Sequence, residues 1–184
     1  MSLTKTPVCN FGEKAKNFNL ISTENKKITL SDIRGEKGTL IMFICNHCPY
    51  VKAVIKNIAE DVSFLEKLGI KSAAIMSNDI KNYSEDSFDN MVLFAKLNNF
   101  SFPYLIDETQ EVAKQYNAVC TPDFFGYNER LELQYRGRIR EMRHQKAVTK
   151  DDSDLRVAMK LIAKTGKGPV NQIPSMGCNI KWFK

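Results

Sequence analysis

No stretch of this chain approaches the roughly 20 consecutive apolar residues of a membrane-crossing helix, so a helical span is excluded. Residues 1–27 are broken up by charge and lack the apolar segment of a secretory signal, and a cytoplasmic protein is expected. Histidine is scarce, with two in 184 residues. No pair of histidines at metal-binding spacing, no Ser-His-Asp arrangement and no glycine-rich phosphate loop is found. The five cysteines are an odd number and too few for a disulfide scaffold at this length. Internal repeats, linkers and low-complexity segments are also missing.

What is there fits one soluble domain over 1–184, with 166–184 a C-terminal tail packed on it. Hydrophobic residues make up 43% and charged residues 26%, ordinary for a globular protein. Charge is uneven. Residues 130–184 hold 13 Lys and Arg against 5 Asp and Glu, while the remainder holds 14 against 16. No nucleic-acid motif accompanies the basic third, so a solvated basic surface is expected, with no nucleic-acid partner.

The chemistry concentrates at Cys45-Asn46-His47-Cys48-Pro49. The dithiol follows the apolar run 39–44 and precedes a helical pattern with Val51, Val54, Ile55, Ile58, Val62 and Leu65 on one face. Unpaired N–H groups and the positive end of a helix favour a thiolate there. Cys45 is expected to be the exposed, attacking sulfur and Cys48 the resolving one. His47 is expected to offer a cation or N–H to Cys45.

Around this motif the chain alternates strand and helix. A hairpin over 18–21 and 28–30 opens it. Ser31-Asp32 is expected to cap a short helical turn that stops at Gly35. Strands are expected at 39–44, 70–76, 103–106, 123–127 and 131–135, and helices at 49–67, 84–97, 109–116 and 152–164, before an irregular tail. This order predicts an α/β fold: a central mixed sheet with helices on both faces and an N-terminal β-hairpin extension. Thr121-Pro122 heads a strand, where a cis proline could pack beside the sulfurs and leave the preceding backbone open to a substrate strand. The residues leave cis or trans open.

Strand, Cys-x-x-Cys-Pro, helix, strand, helix, Thr-Pro, hairpin and helix in this order resemble the thioredoxin-like superfamily. Leu30-Ser31-Asp32-Ile33-Arg34-Gly35, Ser77-Asn78-Asp79, Cys120-Thr121-Pro122-Asp123-Phe124-Phe125, Tyr135-Arg136-Gly137-Arg138-Ile139 and Pro174-Ser175-Met176-Gly177-Cys178 narrow the likeness. They resemble the redoxin branch, grouped with alkyl hydroperoxide reductase and thiol-specific antioxidant proteins, and an uncharacterised bacterial subgroup of it. The resemblance implies a thioredoxin fold, a cis Pro122 and thiol redox activity; no cofactor is expected. Where typical peroxiredoxins carry a Thr three residues before the peroxide-reactive Cys, this chain has Cys45.

The expected function is therefore a thiol–disulfide oxidoreductase acting on protein dithiols and disulfides. Cys45 and Cys48 are catalytic, and Asn46, His47, Pro49, Thr121, Pro122 and Cys120 are supporting residues. One alternative is a thiol peroxidase, with Arg136 or Arg138 beside the thiolate and a peroxide as substrate. Another is a metal-binding module of Cys45, Cys48 and Cys120, although zinc normally takes four ligands and no metal is assigned. Cys178 is either a further resolving thiol or a small tail residue. Cys9 is assigned no role, and His144 is placed in a solvated basic loop. Trp182 and Phe183 are expected to anchor the tail.

Overall fold

The computed structural model describes residues 3–143, 146–148 and 152–184; His144 lies outside them. The elements in chain order are β1 (Leu3–Lys5), β2 (Asn19–Ser22), β3 (Lys27–Thr29), β4 (Gly38–Phe43), α1 (Pro49–Glu66), β5 (Ile70–Met76), α2 (Phe88–Leu97) and β6 (Tyr104–Ile106). They continue with α3 (Glu111–Gln115), β7 (Cys120–Thr121), β8 (Asp123–Tyr127), β9 (Leu133–Tyr135), β10 (Met142–Arg143), β11 (Lys146–Ala147), α4 (Asp154–Thr165) and β12 (Met176–Asn179). None of the described helices is long and apolar enough to cross a membrane.

A seven-stranded mixed sheet runs in the order β3-β2-β6-β5-β4-β8-β9. β4, β5 and β6 are parallel, and β8 turns antiparallel onto β4. β4 is buried along its whole length, as a strand covered on both faces must be. Its side chains alternate between two cores. Leu40 and Met42 face α1, α2 and α4, while Ile41 and Phe43 face α3 and the N-terminal segment. On the second face Phe43, Tyr116 and Phe125 stand with each pair of ring centroids 5.7 Å apart in tilted or edge contacts, the geometry aromatic quadrupoles favour.

α1 forms because its apolar residues recur at helical spacing. Val51, Val54, Ile55, Ile58, Val62 and Leu65 are all buried, each worth roughly 1.5–3 kcal/mol of hydrophobic stabilisation. Pro49 sits at the first turn, where its missing N–H costs nothing. The helix stops before Gly69, whose φ of 80° is a left-handed conformation. One buried acid interrupts the apolar face. Asp61 is held by Arg156 at 2.7 Å and by the Ser153 hydroxyl, which pins α4 onto α1.

Several expectations change. Asp32 caps no helix, because its carboxylate accepts from the Thr29 N–H at 2.8 Å and the Thr29 hydroxyl at 2.6 Å, closing a turn. Residues 84–86 make one 3₁₀ turn, and α2 starts after Ser87, whose side chain caps it. The tail is not irregular throughout: β12 forms the middle of a second, three-stranded sheet, β1-β12-β7. Trp182 and Phe183 remain 38% and 43% exposed. The tail is instead anchored by buried Cys178 and Ile180, by Gln110, which grips the carbonyl of Lys181 and the N–H of Phe183, and by Asn78, which accepts from the Lys181 N–H. The basic third is not simply solvated, since Arg136, Arg140 and Lys181 are buried.

Candidate active site

β4 ends at Phe43 and α1 begins at Pro49, so residues 44–48 form the bend that carries the dithiol. Cys48 is the N-cap residue of α1, with extended backbone angles. No side chain closes a capping hydrogen bond at this end. The Val51 N–H instead faces the Cys48 sulfur, close enough to favour its thiolate. Across the bend lies Thr121-Pro122, whose peptide bond is cis, as the family resemblance implied. The Thr121 hydroxyl lies 3.3 Å from the Cys45 sulfur, and the Thr121 carbonyl lies 3.2 Å from the Cys48 sulfur, from which it accepts only while that thiol is protonated.

Neither sulfur is exposed, contrary to the expectation for Cys45: that residue is 1% accessible and Cys48 is fully buried. The Cys45 thiol donates toward Cys48, and this bond, with burial and the nearby Asp86 carboxylate, holds the Cys45 thiol well above its ordinary pKa. The same bond is the largest influence pulling Cys48 down, to about 5. Burial opposes that shift, while the Cys178 thiol, the Val51 amide and the Cys178 amide support it. These influences favour the thiolate at Cys48 over Cys45.

Asp86 is the residue that sequence reasoning missed. It is fully buried and accepts from the Asn46 N–H at 2.8 Å, the His47 N–H at 3.3 Å and the Asn78 side chain at 2.8 Å. His47 Nδ1 meets the same oxygen as Asn78, Oδ2, at 2.6 Å, and the imidazole stacks on Tyr83 with centroids 5.7 Å apart. That partnership raises the pKa of His47 against a burial effect in the other direction. His47 thus pairs through Nδ1 with Asp86, with a ring nitrogen within 4.8 Å of the Cys45 sulfur. Asn46 is fixed as well, donating to the Glu85 carbonyl and accepting from the Tyr104 hydroxyl at 2.9 Å. The sequence signal for Asp86 was present in Ser84-Glu85-Asp86, but it resembles an ordinary helix start.

Cys120 does not join the dithiol in a three-thiol cluster. Among the described residues, the metal-capable side chains that converge within 4.8 Å are Cys45, His47 and Asp86. The oxygens of Asp86 are already engaged by four donors. Cys120 contacts the Pro122 carbonyl at 3.7 Å and is pushed up by burial. The arginines expected beside the thiolate are also engaged elsewhere. Arg136 pairs with buried Asp123 at 2.9 Å and lies over Phe125, and Arg138 pairs with Asp154 at 2.5 Å. Cys9 packs against the opposite core.

Residues 11–142 match the profile of the AhpC/TSA family. The chain belongs to that family. This redoxin superposes on an uncharacterized conserved protein from Geobacillus kaustophilus with a TM-score of 0.94, at 37% identity over 100% of this chain and 97% of the other. A hypothetical protein from Sinorhizobium meliloti 1021 gives 0.90, at 33% identity over 98% of both chains. The redoxin is also 26% identical to the sporulation thiol-disulfide oxidoreductase A of Bacillus subtilis (strain 168), over 64% of this chain and 67% of that one.

Proposed function

We propose that this thiol–disulfide oxidoreductase passes electrons through the Cys45/Cys48 pair, with Cys48 as the attacking sulfur and Cys45 as the resolver. One observation carries the assignment: Cys48 sits at the N-terminus of α1 and receives the Cys45 thiol, the Val51 amide and the Cys178 amide. The Cys48 thiolate attacks a disulfide R–S–S–R′, forming Cys48–S–S–R and releasing R′S⁻. Cys45 then loses its proton, attacks Cys48 and expels RS⁻. Two protein thiols are oxidised as one substrate disulfide becomes two thiols. The buried Cys45 thiol is a poor nucleophile while Cys48 is charged. Conversion of Cys48 to a mixed disulfide removes that charge and frees Cys45 to ionise.

Protein dithiols and disulfides are the proposed substrates. An apolar groove of about 260 Å³ lined by Tyr50, Val54, Pro122, Ile139, Met142 and Met176 adjoins the proline and suits an extended peptide. The test is alkylation by iodoacetamide across pH, with the modified residue identified by mass spectrometry. Wild type should show Cys48 modified with a midpoint near 5, and Cys48→Ser should lose both that midpoint and turnover with a model disulfide. A reactive thiolate that maps to Cys45, with Cys48→Ser still attacking disulfides, would refute the assignment.

A further inference from the structure

The strand edge that a substrate backbone would need beside Pro122 is already taken. β12 runs antiparallel to β7, with Cys178 opposite Thr121 and Asn179 opposite Cys120. Its other side pairs with β1, with Leu3 opposite Cys178. Thr121 is the residue that touches both Cys45 and Cys48, so this register delivers Cys178 to the dithiol. The Cys178 thiol and N–H both reach the Cys48 sulfur. Cys178 is buried in the same apolar cluster as Cys45 and Cys48.

The fit is close and fixed at both ends. A Cβ built at Gly177 would lie 2.0 Å from the Thr121 carbonyl oxygen, so only glycine lets the strand approach this far. Before it, the Ser175 hydroxyl donates to the Pro122 carbonyl at 2.7 Å, and the Thr6 N–H donates to the Ser175 carbonyl at 3.0 Å. After it, the Lys181 N–H donates to Asn78 at 2.9 Å. A tail that only covered the core would need neither the glycine nor this register.

We propose that Cys178 is a third redox thiol, held on the β7 edge as an internal substrate, which exchanges with Cys48 to form a Cys48–Cys178 disulfide. The proposal rests on Cys48 being the attacking sulfur. From Cys48–S–S–R, Cys178 gives up its proton and attacks the Cys48 sulfur. The bond to R breaks, and RS⁻ leaves and takes up a proton. Attack by Cys45 on Cys48 then moves the disulfide to Cys45–Cys48 and returns Cys178 to the thiol, with no net change in electrons. The tail so clears the bound substrate from the site, favoured by the high effective concentration of a thiol already in place.

The experiment oxidises the Cys45→Ser protein with glutathione disulfide, quenches in acid and maps non-reduced peptides by mass spectrometry. The expected product is a Cys48–Cys178 cross-link, with glutathione on Cys48 a minor species. In Cys45→Ser with Gly177→Ala, which pushes β12 off Thr121, the cross-link should fall at least tenfold and the Cys48–glutathione adduct should accumulate. Circular dichroism checks that both fold. A folded Cys45→Ser protein that accumulates the adduct without the cross-link overturns the proposal and leaves the role of Cys48 standing. Absence of any adduct or cross-link at Cys48 overturns both. Should Cys45→Ser not fold, wild type treated with limiting glutathione disulfide and quenched early must show Cys48–Cys178 beside Cys45–Cys48; its absence there is equally decisive.

Discussion

The uneven ionisation of the two sulfurs sets how the reduction potential must change with pH. Cys48 is pulled down to about 5 and Cys45 is held up, so at neutral pH the reduced pair carries one proton instead of two. Below about 5, reduction takes up two electrons and two protons, and the potential should fall by about 59 mV per pH unit. Above it only one proton is taken up, and the slope should halve to about 30 mV per unit. The sign follows from linkage. A thiolate two pH units below neutrality stabilises the reduced form at pH 7 by roughly 3 kcal/mol relative to an ordinary thiol. That makes the pair more oxidising by roughly 60 mV. The folding stability of the reduced protein carries the same signature. The contribution of Cys48 is full above its unfolded pKa of about 8.5 and is lost as pH falls through the folded value near 5. The assay equilibrates Cys178→Ser, whose hydroxyl can still donate to Cys48, with glutathione or dithiothreitol buffers from about pH 4 to about pH 8, then quenches in acid and counts thiols. A single slope of about 59 mV per unit across that range would refute the ionisation assigned to Cys48.

Other expectations test the surroundings. Asp86→Asn should lower the pKa of His47, readable by NMR because the chain has two histidines, and should cost on the order of 1.5–3 kcal/mol through weakened charge-assisted hydrogen bonds. The raised pKa of His47 contributes stability that is full below its unfolded value of about 6.5 and is lost as pH rises through the folded one, so the variant's deficit should be larger at pH 5 than at pH 8. Arg136→Met strands buried Asp123, whose pKa already stands near 6. A loss of about 3–5 kcal/mol is expected at pH 8 and less at pH 5, where the carboxyl can protonate, measured by denaturant unfolding. Ile180→Ala empties a site that is 1% exposed. It should cost about 2–5 kcal/mol and speed hydrogen exchange in β12; unchanged exchange would show that Ile180 does not hold the tail.

The parts of the fold that carry strong periodicity were legible. β5 spans Ile70–Met76 as its apolar run predicted, and α1 begins at Pro49 as the pattern and the proline required. What was not legible depends on contacts distant in sequence. Met176-Gly177-Cys178-Asn179 has neither alternation nor strand propensity, and becomes β12 only because β1 and β7 supply partners on both sides. Asp86 looks like a helix-opening acid until the fold brings the backbone of Asn46 and His47 onto it. The motif places both cysteines near a helix start, but which of them is charged depends on the Cys178 amide and on the proximity of Asp86 to Cys45. Neither is visible within Cys-x-x-Cys. Trp182 and Phe183 mislead for a related reason. Ile180 and the hydrogen bonds of Lys181 already hold the tail, so the large rings can remain at the surface.

The pairing of β1 with β12 also has a mechanical consequence. Leu3 faces Cys178 and Lys5 faces Met176, so a pull applied between the two ends loads this ladder one rung at a time, like a zip, instead of shearing all its rungs together. That zip frees β1 from the outer side of β12, while β12 itself stays paired with β7 over the sulfurs and the seven-stranded sheet stays intact. Handles attached at the ends for force spectroscopy would read the release of β1 as a separate, low-force event that leaves the strand beside the dithiol in place.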